Sequence, residues 1–281
     1  MLLLIVAVLA LVSSAGICFF SNCFESLRWL WALPVSFLGS FLALGLLYFL
    51  FLWVACVLVD MKKPQEKDSA FYRWLTVTTA SAIMPILRMR MEVTGMENVP
   101  QQGRFLLVCN HLSDLDPVIL IYYFRKYKIS FISKRENSSM FLVGKVMHKM
   151  RCQLINREND REALKTILSC VRLLKEDECS IGVFPEGYTS TDGLLHEFRG
   201  GAFKIAQKAN VPIVVCTLQN TQHVFRNILR LKATDVKLHL VGVVPAEEIK
   251  GVTAIDVSNR VYRMMAEDLG PALVKQNSEN T

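Results

Sequence analysis

Two apolar runs open the chain before any patterned segment begins. Residues 1–20 hold no charged side chain and include twelve Leu, Ile, Val or Phe, worth roughly −4 to −7 kcal/mol of membrane insertion at about −0.3 to −0.6 each. A second run, Leu33 to Val59, is long enough to cross a hydrocarbon core of about 30 Å with some tilt. A secretory signal peptide would need a basic start, which is missing, and the second run argues against one. Residues 1–60 therefore read as a hydrophobic helical hairpin that anchors the chain. Lys62, Lys63, Lys67 and Arg73 crowd its far end, against Arg28 alone in the connection. The positive-inside rule then places residues 60–281 in the cytoplasm. A hairpin dipping into one leaflet would satisfy the same charges.

Residues 61–87 mix Phe71, Trp74, Leu75, Val77, Ala82, Ile83 and Leu87 with Tyr, Thr and Ser, and Pro85 limits their length. An interfacial amphipathic helix is the expectation, and a helix packed on the globular part is the alternative. Residues 88–281 alternate between two periods. Strand-like stretches fall at Arg88–Thr94, Arg104–Cys109, Lys128–Ser133, Cys152–Arg157, Ser180–Phe184, Val211–Thr217 and Asp235–Val244. Helical stretches fall at Pro117–Phe124, Asn159–Lys175, Gly200–Lys208 and Asp256–Leu269, the second capped by Asn159 or Asp160. Alternating strands and helices predict an α/β domain with a mainly parallel sheet flanked by helices.

Charge and cysteine usage narrow the function classes. The net charge of +7 sits wholly beyond Asp60, because Arg28 and Glu25 cancel before it. On a tethered domain, such a balance fits anionic headgroups and phosphorylated substrates better than nucleic acid. Eight cysteines form no C-x-x-C pair, so neither a zinc site nor a disulfide framework is indicated.

Three buried strands end in polar residues with no structural need to be there: Asn110-His111, Arg157, and Glu186-Gly187. Ligands bind at strand ends of α/β sheets. His111 has two acidic neighbours in sequence, Asp114 and Asp116. Five residues of straight helix advance about 500°, so His111 and Asp116 can meet only across a strand-to-helix corner. Spacing leaves the choice between the aspartates open. Cys109 and Ser113 are weaker nucleophile candidates. Strand alternation should turn Cys109 away from His111, and no G-x-S-x-G elbow surrounds Ser113.

The combination closely resembles the glycerophospholipid acyltransferase family, within it the 1-acylglycerol-3-phosphate acyltransferases, over roughly residues 90–220. Asn110-His111 with Asp116 resembles its first block, Lys134–Gly144 with Leu154–Arg157 the second, Phe184-Pro-Glu-Gly187 the third and Val211-Pro-Ile-Val214 the fourth. The resemblance implies His111 as general base, Asp116 orienting it, and Arg157 on an acceptor phosphate. It also implies substrate contacts from Asn110, Lys134, Glu186 and Gly187, although Glu186 could equally brace its loop. The oxyanion would fall to backbone N–H groups near the corner. Further implied are an acyl-CoA or acyl carrier protein thioester as co-substrate, no metal or other cofactor, and no covalent acyl-enzyme. The partners would be membrane lipids and lysophosphatidate or a related lysolipid, with no nucleic acid. Two departures concern the acceptor. Tyr188-Thr189 stands where the third block usually has threonine and arginine, leaving Arg199 or Lys204 as substitute phosphate donors, and Met140 replaces a common proline. The expected activity is transfer of an acyl chain to lysophosphatidate. Another lysophospholipid or lyso-amino lipid as acceptor is the alternative, and a non-catalytic lipid-binding membrane protein is the alternative of another class.

Overall fold

The structure is a computed structural model that describes residues 2–156 and 158–275. Arg157, the expected phosphate-binding arginine, lies outside the described residues. The chain divides into two compact units, Met1–Pro64 and Gln65–Thr281.

The first unit is a pair of helices, α1 (Leu2–Phe20) and α2 (Trp29–Val57). Both are long and apolar enough to cross a membrane by length and composition, and α1 spans about 28 Å at 1.5 Å per residue. Ala10, Ser14 and Cys18, four residues apart, are the buried stripe of α1. The Ser14 hydroxyl donates to the Leu33 carbonyl at 2.8 Å, and its oxygen lies 2.7 Å from the Ser36 hydroxyl. Small residues with a hydroxyl contact hold apolar helices together where lipid tails offer no hydrophobic gradient.

The second unit contains, in chain order, α3 (Ala70–Ile86), β1 (Met89–Thr94), β2 (Leu106–Cys109), α4 (Asp116–Tyr123), β3 (Ile129–Lys134), α5 (Phe141–Lys149), β4 (Gln153–Ile155), α6 (Asp160–Lys175), β5 (Ser180–Val183), α7 (Lys204–Ala209), β6 (Ile213–Gln219), α8 (Val224–Leu229), β7 (Thr234–Val244), α9 (Ala246–Ile249) and α10 (Ala254–Leu269). Seven strands form one sheet in the order β1-β7-β6-β2-β5-β3-β4. Every pairing is parallel except β6 with β7. The expected α/β architecture with a mainly parallel sheet is therefore the one observed.

β2 is central and buried on both faces. Leu106 and Val108 join the core formed with α6, α7 and α10, whereas Leu107 and Cys109 join the core under α4. That split follows from the two-residue period of a strand. Helix α3 packs on the second core through Met84, buries Leu75, Ala80 and Ala82, and leaves Phe71 and Trp74 exposed. Arg73 is buried on α3, paired with Asp68 at 2.6 Å and donating to the Ile129 carbonyl at 2.9 Å. It therefore anchors α3 and is already neutralised. Helices α5 and α8 were not separated from loop by the sequence pattern, because α8 is only six residues long and α5 follows directly on a polar turn.

Candidate active site

The chain leaves β2 at Cys109 and turns through residues 110–115 into α4. Asn110 continues the pairing with β6 through its side chain. Its Oδ1 accepts the Leu218 N–H at 2.7 Å and its Nδ2 donates to the Leu218 carbonyl at 2.9 Å. The amide is thus held on backbone at the start of the corner.

His111 follows, with its ring 15% exposed and Nδ1 3.0 Å from Asp116 Oδ2. Asp116 is the first residue of α4 and is fully buried. The same oxygen accepts the N–H groups of Leu112 at 2.6 Å and Ser113 at 2.8 Å. The carboxylate is therefore clamped by the turn that brings it to the histidine. Asp114 is exposed. Phe184 stacks on the imidazole at 4.1 Å between ring centroids, and Phe131 stacks on Phe184 at 5.4 Å. With Nδ1 on the carboxylate and one face covered, Nε2 is the nitrogen left to exchange a proton with a ligand.

The loop after β5 closes on the same corner. Glu186 Oε1 accepts the His111 N–H at 2.8 Å, while Oε2 accepts the Ser190 hydroxyl at 2.5 Å and the His196 N–H at 3.1 Å. Ser190 in turn donates its N–H to the His111 carbonyl at 2.7 Å. Burial pushes the Glu186 carboxyl above its ordinary value, against the hydrogen bonds from Ser190, His111 and His196. Of its two expected roles, the contacts made are those of a brace. Gly187 sits at φ +86°, where a side chain would be strained. The N–H groups of residues 111, 112 and 113 are thereby all committed to carboxylates. They are not donors for an oxyanion.

The remaining expected residues lie further out. Lys134 ends β3 and is exposed. Arg199 donates its backbone N–H to the Pro185 carbonyl at 2.8 Å, which ties its position to the Pro-Glu-Gly loop, and its side chain is exposed. Tyr188 is exposed and meets the His196 ring edge-on at 5.4 Å. His196 itself lies 2.9 Å from Asp192, a second His–Asp pair. Ser190, His196 and Phe131, with the stacking role of the third-block Phe184, are site elements that the motifs do not name. Their roles arise only when loops from separate strands meet. Cys109 is fully buried in the core, and burial raises its thiol well above the ordinary value. It cannot supply a thiolate near neutral pH. Among the described residues no group of three or more His, Cys, Asp or Glu could hold a metal ion.

The corner thus holds a His–Asp pair and a buried glutamate that braces it, at the end of the central strand. A protein-family model described as Acyltransferase matches residues 90–219, the stretch that contains all of these elements. Residues 90–219 form an acyltransferase-family domain. The resemblance drawn from the four blocks is confirmed in family and in extent. The 1-acyl-sn-glycerol-3-phosphate acyltransferase of Borreliella burgdorferi is 31% identical over 149 residues, covering 53% of this chain and 59% of that protein. The probable 1-acyl-sn-glycerol-3-phosphate acyltransferase of Mycoplasma pneumoniae is 29% identical over 216 residues, covering 73% of this chain and 78% of it. The chain thus spans under two thirds of the Borreliella relative and about three quarters of the Mycoplasma one. Among solved structures, the 1-acyl-sn-glycerophosphate (LPA) acyltransferase PlsC of Thermotoga maritima shares the fold, with a TM-score of 0.62 at 20% identity over 83% of this chain and 91% of that one.

Proposed function

We propose that this chain is a membrane-bound O-acyltransferase that moves a fatty acyl group from an acyl thioester to the sn-2 hydroxyl of 1-acylglycerol 3-phosphate, giving phosphatidate. The observation that carries the reading is the His111 Nδ1 to Asp116 Oδ2 contact of 3.0 Å at the end of the central strand. In this mechanism the Nδ1–H donates to Asp116, which fixes the tautomer with Nε2 as base. Nε2 takes the hydroxyl proton as the oxygen attacks the thioester carbonyl carbon. The buried Asp116 carboxylate stabilises the imidazolium. When the tetrahedral intermediate collapses, the C–S bond breaks and the imidazolium returns its proton to the departing thiolate. No covalent acyl-enzyme and no metal take part in this sequence. Arg157 is assigned to the acceptor phosphate, because a planar guanidinium matches phosphate oxygens. Lys134, exposed at the end of β3, and Arg199, exposed on the loop after β5, are assigned to add positive charge around it. Asn110, Glu186 and Gly187 act by shaping the corner.

The hairpin is assigned to the bilayer, residues 61–87 to its interface through Phe71 and Trp74, and the remainder to the cytoplasmic face. Acyl-CoA or acyl carrier protein is the donor. A related lysolipid as acceptor is the second reading, favoured by Tyr188-Thr189 in place of a threonine and arginine after Gly187.

The test is turnover by membranes containing the protein, offered labelled acyl-CoA or acyl carrier protein with a panel of lysolipids and glycerol 3-phosphate. Transfer to lysophosphatidate is expected, and His111→Ala should lower it by about 10²–10⁴, the usual worth of general-base assistance. Undiminished turnover by His111→Ala would remove the mechanism, and preference for another lysolipid would replace the acceptor. Arg157→Ala that weakened phosphate-headed and neutral acceptors alike would take the phosphate from Arg157.

A further inference from the structure

The segment between β6 and β7 presents a surface that the acyl-transfer site does not use. Phe225, Leu229 and Leu231 are 52%, 86% and 76% exposed, and Arg226, Arg230 and Lys232 alternate with them, also exposed. No acidic residue occurs between Lys208 and Thr234. The first one beyond, Asp235, already faces Arg90 at 3.8 Å.

The backbone holds this arrangement at a cost. Helix α8 ends in a closed turn in which Leu231 N–H donates to the Ile228 carbonyl and Lys232 N–H to the Asn227 carbonyl, both at 2.9 Å. That turn requires a left-handed residue, a place where glycine is the usual occupant. Here it is Leu231, at φ +56°. Arg88 Nη1 donates to the Leu231 carbonyl at 2.6 Å, and Asn227 Nδ2 to Thr234 Oγ1 at 3.0 Å, so the turn is pinned from the residue before β1 and from the start of β7 as well. A leucine in a left-handed position with its side chain 76% exposed gains little from burial in the fold. It is explained if its surroundings in use are not water.

We propose that residues 225–232 dock on an anionic bilayer surface, the three apolar side chains entering the boundary between headgroups and acyl chains and the three cations meeting lipid phosphates. The proposal rests on reading the chain as a membrane-bound enzyme and adds a second, electrostatic attachment on the globular unit. Interleaved apolar and basic side chains are the composition of an interfacial segment, and each cation near such a surface strengthens attachment measurably. An acidic protein would also meet the charges, but a leucine pair exposed to this degree suits a fluid apolar medium rather than a fitted pocket.

The experiment uses the full chain reconstituted in phosphatidylcholine vesicles with and without phosphatidylglycerol. Amide hydrogen exchange of residues 224–232 should slow in the anionic vesicles relative to the neutral ones. The slowing should vanish in an R226E/R230E/K232E variant. Leu231→Gly should also weaken it while leaving the melting temperature unchanged or raised, since glycine accepts the left-handed turn. For lysophosphatidate presented in the bilayer, the charge-reversal variant should raise the apparent KM about tenfold with kcat kept, whereas a water-soluble short-chain acceptor should show no change. Equal exchange in both vesicles, or an unchanged KM, would overturn the proposal. So would slowing that needs added acyl carrier protein, which would make the surface a protein dock. A wild-type chain that turns over neither acceptor would instead overturn the enzymatic reading and leave the exchange result to stand by itself.

Discussion

At the scale of single residues, two buried carboxylates do different work because their partners differ. Asp116 gathers two backbone N–H groups and the imidazole on one oxygen, so its charge is fixed beside His111. Asp116→Asn keeps the shape but removes that charge, and kcat should fall on the order of 10²–10⁴ with little change in KM, measured by steady-state kinetics. Glu186 is braced by three donors but desolvated, and burial dominates. Its carboxyl in the folded chain stays above the ordinary 4.5. This group's contribution to stability is therefore full below 4.5 and is lost as pH rises through the folded value. Melting temperatures across that window should decline for the natural chain, and Glu186→Gln should remove that component of the slope. The variant should also lose about 1–3 kcal/mol, because an amide offers one acceptor where two carboxylate oxygens serve three donors. His111 and both carboxylates were legible from sequence as chemistry. Sequence left Glu186 between substrate contact and brace, because the donors that occupy it come from residues 111, 190 and 196, and only the fold brings them within 3.1 Å.

At the scale of elements, the aromatic column from β3 to the corner depends on a missing side chain. Gly182 lies on β5, and a Cβ there would stand 2.5 Å from Phe131 Cε1. Phe131 cannot retreat without moving Phe184, which stacks on His111. Gly182→Ala should destabilise by about 1–3 kcal/mol as overpacking does, and should lower kcat beyond what a comparable loss elsewhere produces. Denaturant melts paired with kinetics separate the two effects. A second close seat is Gly144 on α5, where a Cβ would run into the Ser138 carbonyl, so α5 can lie against the preceding turn only with glycine there. The helix caps were readable by contrast, since Asn159 accepts the Glu162 N–H at 3.2 Å through purely local spacing. Strand periods were readable for the same reason, whereas the antiparallel pairing of β7 with β6 was not, because no local pattern specifies a partner.

At the scale of the whole molecule, the proposed function assigns the hairpin to the bilayer and the chemistry to the globular unit. Cys23 sits in the connection between α1 and α2. If the hairpin spans the bilayer, an impermeant maleimide should label Cys23 only from the side opposite the catalytic unit; labelling from the catalytic side alone would make it a one-leaflet hairpin. The apolar runs, the strand and helix periods, the charge that follows Asp60 and the four family blocks were determined by sequence alone, because each is a local or compositional property. Spacing left two aspartates for His111 and the family resemblance named Asp116; tertiary structure brought that carboxylate to 3.0 Å from the ring across one sharp corner. It also turned Asn110 and Glu186 toward backbone and sent Arg73 into the core. Contacts between strands far apart in sequence leave no periodic trace in it. Sequence names the residues able to carry the chemistry, and the packing of loops from β2, β5 and β6 decides which atoms each of them faces.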